Sequence, residues 1–194
     1  MSKIFLVNVG ANTSDSSRAR SPIFKAGRFV YVPFSFERRG NDGRRDYPAA
    51  TRPFIHNMDG RTTHRDPDWD NYTYGDNCLN RRARALARAR PGDILLFWGL
   101  LWDNTSKRWD GFTGEKGWYL LGAFRIQEVF VQGQRPRDSS TPYAAKRAAK
   151  NAHFDRDILG KGGTCFCRQP TRFEAILQGR AFLHCAVTTA LRRC

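Results

Sequence analysis

Pro91-Gly92-Asp93-Ile94-Leu95-Leu96-Phe97-Trp98 decides how this chain is read. A Pro-Gly turn followed by an unbroken apolar, β-favouring run is the strongest strand signal in the chain. Its neighbours extend the pattern. Trp118 to Leu121 and Phe124 to Val131 form a further strand pair or one bent strand, with Gly122 marking the bend or a bulge. At the other end of the chain, Ile4 to Val9 has a buried-strand pattern and runs into a small polar loop, Gly10 to Ser17. Ser21-Pro22-Ile23 closes that loop, and Phe29-Val30-Tyr31-Val32 reads as a second strand stopped at Pro33.

Helical signals are fewer. Asn77 to Arg90 places Leu79, Ala83, Leu86 and Ala87 on one face and Arg81, Arg84 and Arg88 on the other, with Pro91-Gly92 as the stop. Tyr143 to Asp157 is rich in Ala and Lys and reads as a second helix. Thr171-Arg-Phe-Glu174 opens a third, short one as a capping box, with Gly179 as its stop. Ala181 to Val187 reads as a last strand, and Phe36 to Arg52 and Asp103 to Lys116 as polar loops. The order of elements is not a regular βαβ alternation. It predicts an α+β fold, a strongly twisted or barrel-like mixed sheet with about three packed helices. A length of 194 residues predicts a single domain, 1–194.

The densest functional signal precedes the first helix. His64-Arg-Asp-Pro-Asp-Trp-Asp-Asn-Tyr-Thr-Tyr-Gly-Asp76 puts four carboxylates, an imidazole and three aromatic rings into thirteen residues. A Pro and a Gly within such polarity suit a shaped loop rather than core. An alternative is an Asp-rich surface turn whose Asp76 caps the helix. As a base-reading surface, the chain offers Trp69, Tyr72, Tyr74, Trp98, Trp102 and Trp118 as stacking planes, with Asn12 and Ser21 from the first loop as polar partners. Asn8, Asn71, Asp68 and Asp76 could read a polar edge. As a catalyst, His64 with Asp66 or Asp68 would serve as an oriented general base, with Asp76 nearby. Mg²⁺ is the cation those carboxylates would take in that case. The Asp-x-Asp-x-Asp spacing lacks the bidentate Glu of a calcium loop, and no metal-ligand set is assigned. No Walker loop, Gly-x-Ser-x-Gly elbow or deaminase motif is present.

Bulk properties favour an anionic partner. The chain has 33 Lys+Arg against 18 Asp+Glu, a net charge of +15. Such an excess suits nucleic acid or nucleotides, and Arg81, Arg84 and Arg88 are candidate phosphate contacts, with a solvated outer face as the alternative. No apolar run approaches the ~20 residues of a membrane helix. The N-terminus has no signal-peptide pattern, and five cysteines, an odd number, do not suggest a disulfide framework. A cytoplasmic protein with no membrane partner is expected.

Pro91-Gly92-Asp93 leading into its strand, with the later Trp118-to-Val129 strand, resembles the middle of PUA-like domains such as the EVE and ASCH groups. The whole chain resembles the nucleotide-modification-associated domain 3 family. The marks are the first strand, Ser21-Pro22-Ile23, Val32-Pro33, His64 with Asp66-Pro67-Asp68, and Tyr74-Gly75-Asp76. They span roughly residues 3–131, and 132–194 is unassigned. The resemblance implies a link to modified bases and a pocket beside the barrel that receives a base. Three readings follow: a nucleic-acid or nucleotide-binding domain that recognises a base, modified or not; an enzyme that modifies a base or nucleotide with a His/Asp site; and an interaction module for an acidic protein.

Overall fold

The computed structural model describes residues 1–15, 18–37, 46–63, 66–76, 78, 81, 83–130, 151 and 164–168. Its spine is the strand heralded by Pro91-Gly92-Asp93. The chain contributes β1 (Ile4–Asn8), β2 (Ser21–Ile23), β3 (Phe36–Glu37), β4 (Arg61–Thr62), β5 (Thr73–Asp76), β6 (Ile94–Asn104), β7 (Phe112–Phe130) and β8 (Thr164–Arg168). The main sheet runs β1-β6-β7-β8-β5, with β2 also on β6, and β3 pairs with β4 in a two-stranded ribbon.

β6 is the central strand because it is paired along both edges; Leu95, Phe97 and Leu101 are buried, and Ile94, Leu96 and Trp98 on the other face only partly so. β1 runs parallel to it from Ile4↔Ile94 to Asn8↔Trp98, and β2 continues along the same edge from Ser21↔Leu101 to Ile23↔Asp103. The opposite edge carries β7, antiparallel over almost its whole length. The expected bend at Gly122 is a bulge. Phe97 faces Gly122 while Trp98 faces Leu120, so Leu121 is the extra residue. Beyond β6, β7 continues into β8, which in turn holds β5. The sheet is open and strongly twisted, and its far end curls back. Tyr74 of β5 packs on Phe97 of β6 at 5.5 Å between ring centroids, although the two strands share no hydrogen bond.

That curl is filled by aromatic rings. Phe97 and Phe124 are almost fully buried and sit 4.8 Å apart, with Trp69 5.3 Å from each and Tyr72 against Phe124 at 6.2 Å. Val7, Val9, Leu95, Leu101 and Ile126 complete this core. A second cluster gathers Val32, Tyr47, Phe54 and Ile55. Close packing explains Gly99: a Cβ there would lie 2.8 Å from both the Leu121 side chain and the Val9 carbonyl.

Three packed helices are not what the described residues form. Their helical segments are three short 3-10 turns, Ala49–Phe54, Arg84–Arg88 and Trp109–Gly111. Among the described residues of the expected Asn77-to-Arg90 helix, Arg84–Arg88 form a 3-10 turn, and the reason is local. Cys78 has φ 54, a left-handed conformation that breaks α-helical propagation, and its N–H donates to Asp76 Oδ1 at 2.7 Å. Downstream, Ala83, Leu86 and Ala89 are buried while Ala87 is exposed. A repeat of three residues is the 3-10 period, which the α-helical reading of Ala83, Leu86 and Ala87 did not match. The helices expected at Tyr143 to Asp157 and Thr171 to Gln178, and the strand at Ala181 to Val187, lie outside the described residues. The segment read as a strand over Phe29 to Val32 joins its neighbours through single bonds. Val30 N–H donates to Pro22 O, and Ala11 N–H to Val32 O. No helix among the described residues is long and apolar enough to cross a membrane.

The Pro-Gly-Asp turn is fastened by its carboxylate. Asp93 accepts the Lys3 N–H at 2.8 Å and the Arg90 N–H at 2.9 Å, tying the start of β1 to the turn before β6. These donors, Lys3 first, hold its carboxyl below the usual range against the opposing effect of burial. A depressed folded-state pKa contributes stability above the unfolded value of about 3.9, and this is lost as pH falls through the folded value. Asp93→Asn should therefore lower stability at neutral pH and reduce its fall below about pH 4, as read by urea melts across that range. A variant that loses stability in acid as steeply as the parent would contradict this account.

Candidate functional site

The acidic-aromatic loop is built by its own carboxylates. Asp68 and Thr73 exchange backbone hydrogen bonds of 2.8 and 3.1 Å, closing a tight loop over the residues between them. Inside it, Asp68 Oδ1 accepts the N–H groups of Asp70 and Asn71 at 3.1 and 3.0 Å, and Oδ2 accepts Asn71 Nδ2 at 2.8 Å. Asp68 is 7% exposed. It is occupied as the organiser of the loop. Asp66 has a similar task. Its Oδ1 accepts the Gly75 N–H and the buried Asn151 carboxamide, each at 3.2 Å. Asn151 also donates to Thr73 Oγ1 at 2.9 Å, and Tyr31 donates its hydroxyl proton to the Asp66 carbonyl. Nothing in the sequence around Asn151 marks it as an anchor for a loop almost eighty residues earlier.

Three of the proposed stacking planes divide on folding. Trp69 and Tyr72 pack on the Phe97–Phe124 pair, as core edge. Tyr74 also rests on Phe97, but its hydroxyl donates to Asp76 Oδ2 at 2.9 Å. Burial, and then the charge of Asp76, push the Tyr74 phenol well above its ordinary pKa. It stays a neutral donor throughout the physiological range. Asp76 is thus gripped on both oxygens, by Tyr74 and by the Cys78 N–H, and remains only half-buried. A carboxylate has about four acceptor positions, so this one retains capacity for a ligand.

The far end of the sheet brings that carboxylate to β1. Leu6, Val7, Asn8, Tyr74, Asp76, Ala83, Leu86 and Trp98 line a cavity of about 480 Å³. Such a volume lies within the roughly 300–1,000 Å³ of small-molecule pockets. Its polar groups are the Asp76 carboxylate and the Asn8 carboxamide, whose Nδ2 leans on the Trp98 carbonyl at 3.4 Å. Trp98 lies on the opposite face of β6 from Phe97. Its indole meets Trp118 of β7 with ring centroids 4.6 Å apart, and Trp118 is 39% exposed.

Of the residues singled out in the sequence, Tyr74, Asp76, Trp98 and Asn8 therefore come together, with Trp118 beside them. Others do not. Asn12 turns its Oδ1 onto the N–H and hydroxyl of Ser14 at 2.9 and 2.6 Å. Ser21 is buried, with its Oγ accepting the Val32 N–H at 3.0 Å. Arg81, Arg84 and Arg88 are exposed, the last two on the 3-10 turn that carries the cavity-lining Leu86. His64 lies outside the described residues. No three His, Cys, Asp or Glu side chains among the described residues gather as a metal site. Leu6 and Leu86 were missed as lining residues, since an apolar side chain carries no sign of which cavity it will face.

The spacing of these features along the chain is also that of a known family. A sequence model of nucleotide modification associated domain 3 matches residues 3–175. The chain belongs to that family. The match runs past residue 131, where the recognisable marks ended, and takes in β8, whose Thr164-to-Arg168 sequence had not been read as a strand. β8 is what holds β5, and so the Tyr74–Asp76 edge of the cavity, to the sheet. Searches of curated proteins and of solved structures give no match. The family links this nucleotide modification associated domain to nucleotide modification, and nucleotides or nucleic acids are partners compatible with it.

Proposed function

We propose that this domain recognises a base, in nucleic acid or as a free nucleotide, in the cavity between β1 and β5. The observation that carries the reading is the composition of that cavity: Trp98, the phenol-anchored carboxylate Asp76 and Asn8 line one space of about 480 Å³. Trp98 supplies a stacking plane. Asp76 accepts from a ring N–H or exocyclic amine, and Asn8 can both donate and accept along the same edge. Arg84 and Arg88 stand on the rim-forming turn as contacts for phosphate. The net charge of +15 supports an anionic ligand.

Titration of nucleotides and short oligonucleotides, followed by tryptophan fluorescence or calorimetry at low salt, tests this. Trp98→Ala should weaken binding by roughly 1–3 kcal/mol, the value of one stacked base. Asp76→Asn keeps the acceptor for Cys78 but removes the charge, so a loss of affinity for bases that present an N–H donor to it is expected. No binding of any nucleotide or oligonucleotide at low salt would sink the proposal. The catalytic alternative keeps His64 and, among the described carboxylates, draws on Asp76. It predicts a mass-altered base after incubation with Mg²⁺, lost in His64→Ala and in Asp76→Asn.

A further inference from the structure

The cavity opens at one end of a face of the sheet that has a distinct character. From Trp98↔Leu120 to Trp102↔Lys116 the β6–β7 register is unbroken. Alternation therefore puts Trp98, Leu100 and Trp102 on the same face as Leu120, Trp118 and Lys116. At the far end of this strip two cations crowd one indole. The Arg20 guanidinium lies 4.3 Å from the Trp102 ring centroid, and the Lys116 ammonium 4.4 Å from it. Arg20 is also 4.8 Å from the Trp109 ring and 5.4 Å from that of Phe112. Among the described residues, no carboxylate is ion-paired with Arg20 or Lys116. Burial lowers the Arg20 pKa, and so does the charge of Arg18, another cation. Three rings fix the plane of Arg20, and among the described residues its fork of donors meets no carboxylate.

A structural role does not require this grouping. Two cations held on one ring concentrate positive charge at the end of the strip, and a backbone phosphate reaching that end would neutralise it. The same strip offers the Trp98–Trp118 pair, half open to solvent, next to the base cavity. Alternating stacking planes and phosphate-seeking cations along one groove are what a single nucleic-acid strand needs.

We infer that the ligand of this domain is a single-stranded nucleic acid, running from the base cavity over Trp118 to a phosphate clamp formed by Arg20 and Lys116. The inference rests on the proposed base-recognition reading and adds the polymer and its path. The base in the cavity is one nucleotide of the strand, its neighbour stacks on Trp118, and backbone phosphates reach the two cations.

Fluorescence anisotropy with a mixed-sequence ten-nucleotide DNA, its RNA counterpart and the corresponding duplex tests the path, with mononucleotide titrations alongside. Lys116→Gln and Arg20→Gln together should lower affinity for the single strand by about tenfold or more and flatten its salt dependence by about 1.4 in log–log slope. Mononucleotide affinity should not change. Trp118→Ala should weaken the single strand about tenfold and mononucleotides by clearly less, since Trp118 meets the cavity only through Trp98. Lys116 and Trp118 are exposed, so their single variants keep the fold testable if Arg20→Gln destabilises it. Single-strand binding that ignores Lys116→Gln and Trp118→Ala yet falls with Trp98→Ala overturns the path and leaves the cavity reading standing. Dependence on the strip without dependence on Trp98 or Asp76 overturns the cavity reading instead. Tighter binding of the duplex than of either single strand overturns the single-stranded assignment.

Discussion

Phe97→Ala is expected to be the most damaging single substitution in the described sheet, at a cost of about 3–5 kcal/mol. Phe97 is 0% exposed and lies edge-on to three rings at once, Trp69, Tyr74 and Phe124. Removing it opens a cavity and breaks three aromatic contacts, each worth about 0.5–1.5 kcal/mol beyond its buried area. For a domain of ordinary stability, roughly 5–15 kcal/mol, this is about a fifth of the total or more. The thermal midpoint should fall by roughly 10–15 °C. The loss reaches the site, because Phe97 is the surface on which both the 68–73 loop and Tyr74 rest. Phe97→Leu keeps most of the volume and should retain ligand binding at 25 °C. A thermal shift of less than about 3 °C for Phe97→Ala would show that the curl of the sheet is held by something else.

Asp68→Ala should be destabilising rather than selectively inactivating. Its carboxylate is the shared acceptor for two backbone N–H groups and one carboxamide. Deleting it leaves those donors without their partner and should cost about 2–4 kcal/mol, since bonds to a charged acceptor are the stronger class. Asp68→Asn retains one oxygen but sets an amide N–H₂ against another donor, so an intermediate loss is expected. Chemical denaturation of the three proteins gives the order. A catalytic base at this position predicts the opposite pattern, full stability with lost activity in both variants. Asp76 contrasts with Asp68 because it faces the cavity: Asp76→Asn should change ligand preference more than stability.

The two carboxylates look alike in the sequence, and this marks the limit of what the sequence could say. Both sit in the same Asp-rich run, within two residues of an aromatic ring. What separates them is the Asp68–Thr73 pairing, which encloses one carboxylate, and the β5–β8 pairing, which delivers the other to β1. The tryptophans divide in the same way. Trp69 and Trp98 were equal candidates for stacking, but Trp69 faces the Phe97–Phe124 core and Trp98 the opposite face of β6. Arg20 and Lys116 had no local sequence signal, because their shared ring is contributed by a third segment, at Trp102.

The sequence by itself determined what depends on near neighbours along the chain. The β6 strand after Pro91-Gly92-Asp93, the first strand, the irregularity at Gly122, the shaped loop before Asp76 and the family all follow from local pattern, since side-chain alternation and turn chemistry act over a few residues. Tertiary structure alone decided the rest. The residues expected as an amphipathic helix became a 3-10 turn, because their burial recurs every three residues under the sheet. The unassigned third of the chain supplied β8, the strand that carries β5. The cavity exists because the sheet curls until β5 nears β1, bringing Asn8 and Trp98 to Tyr74 and Asp76. Contacts between residues so far apart depend on the path of the whole backbone, and no local preference encodes them.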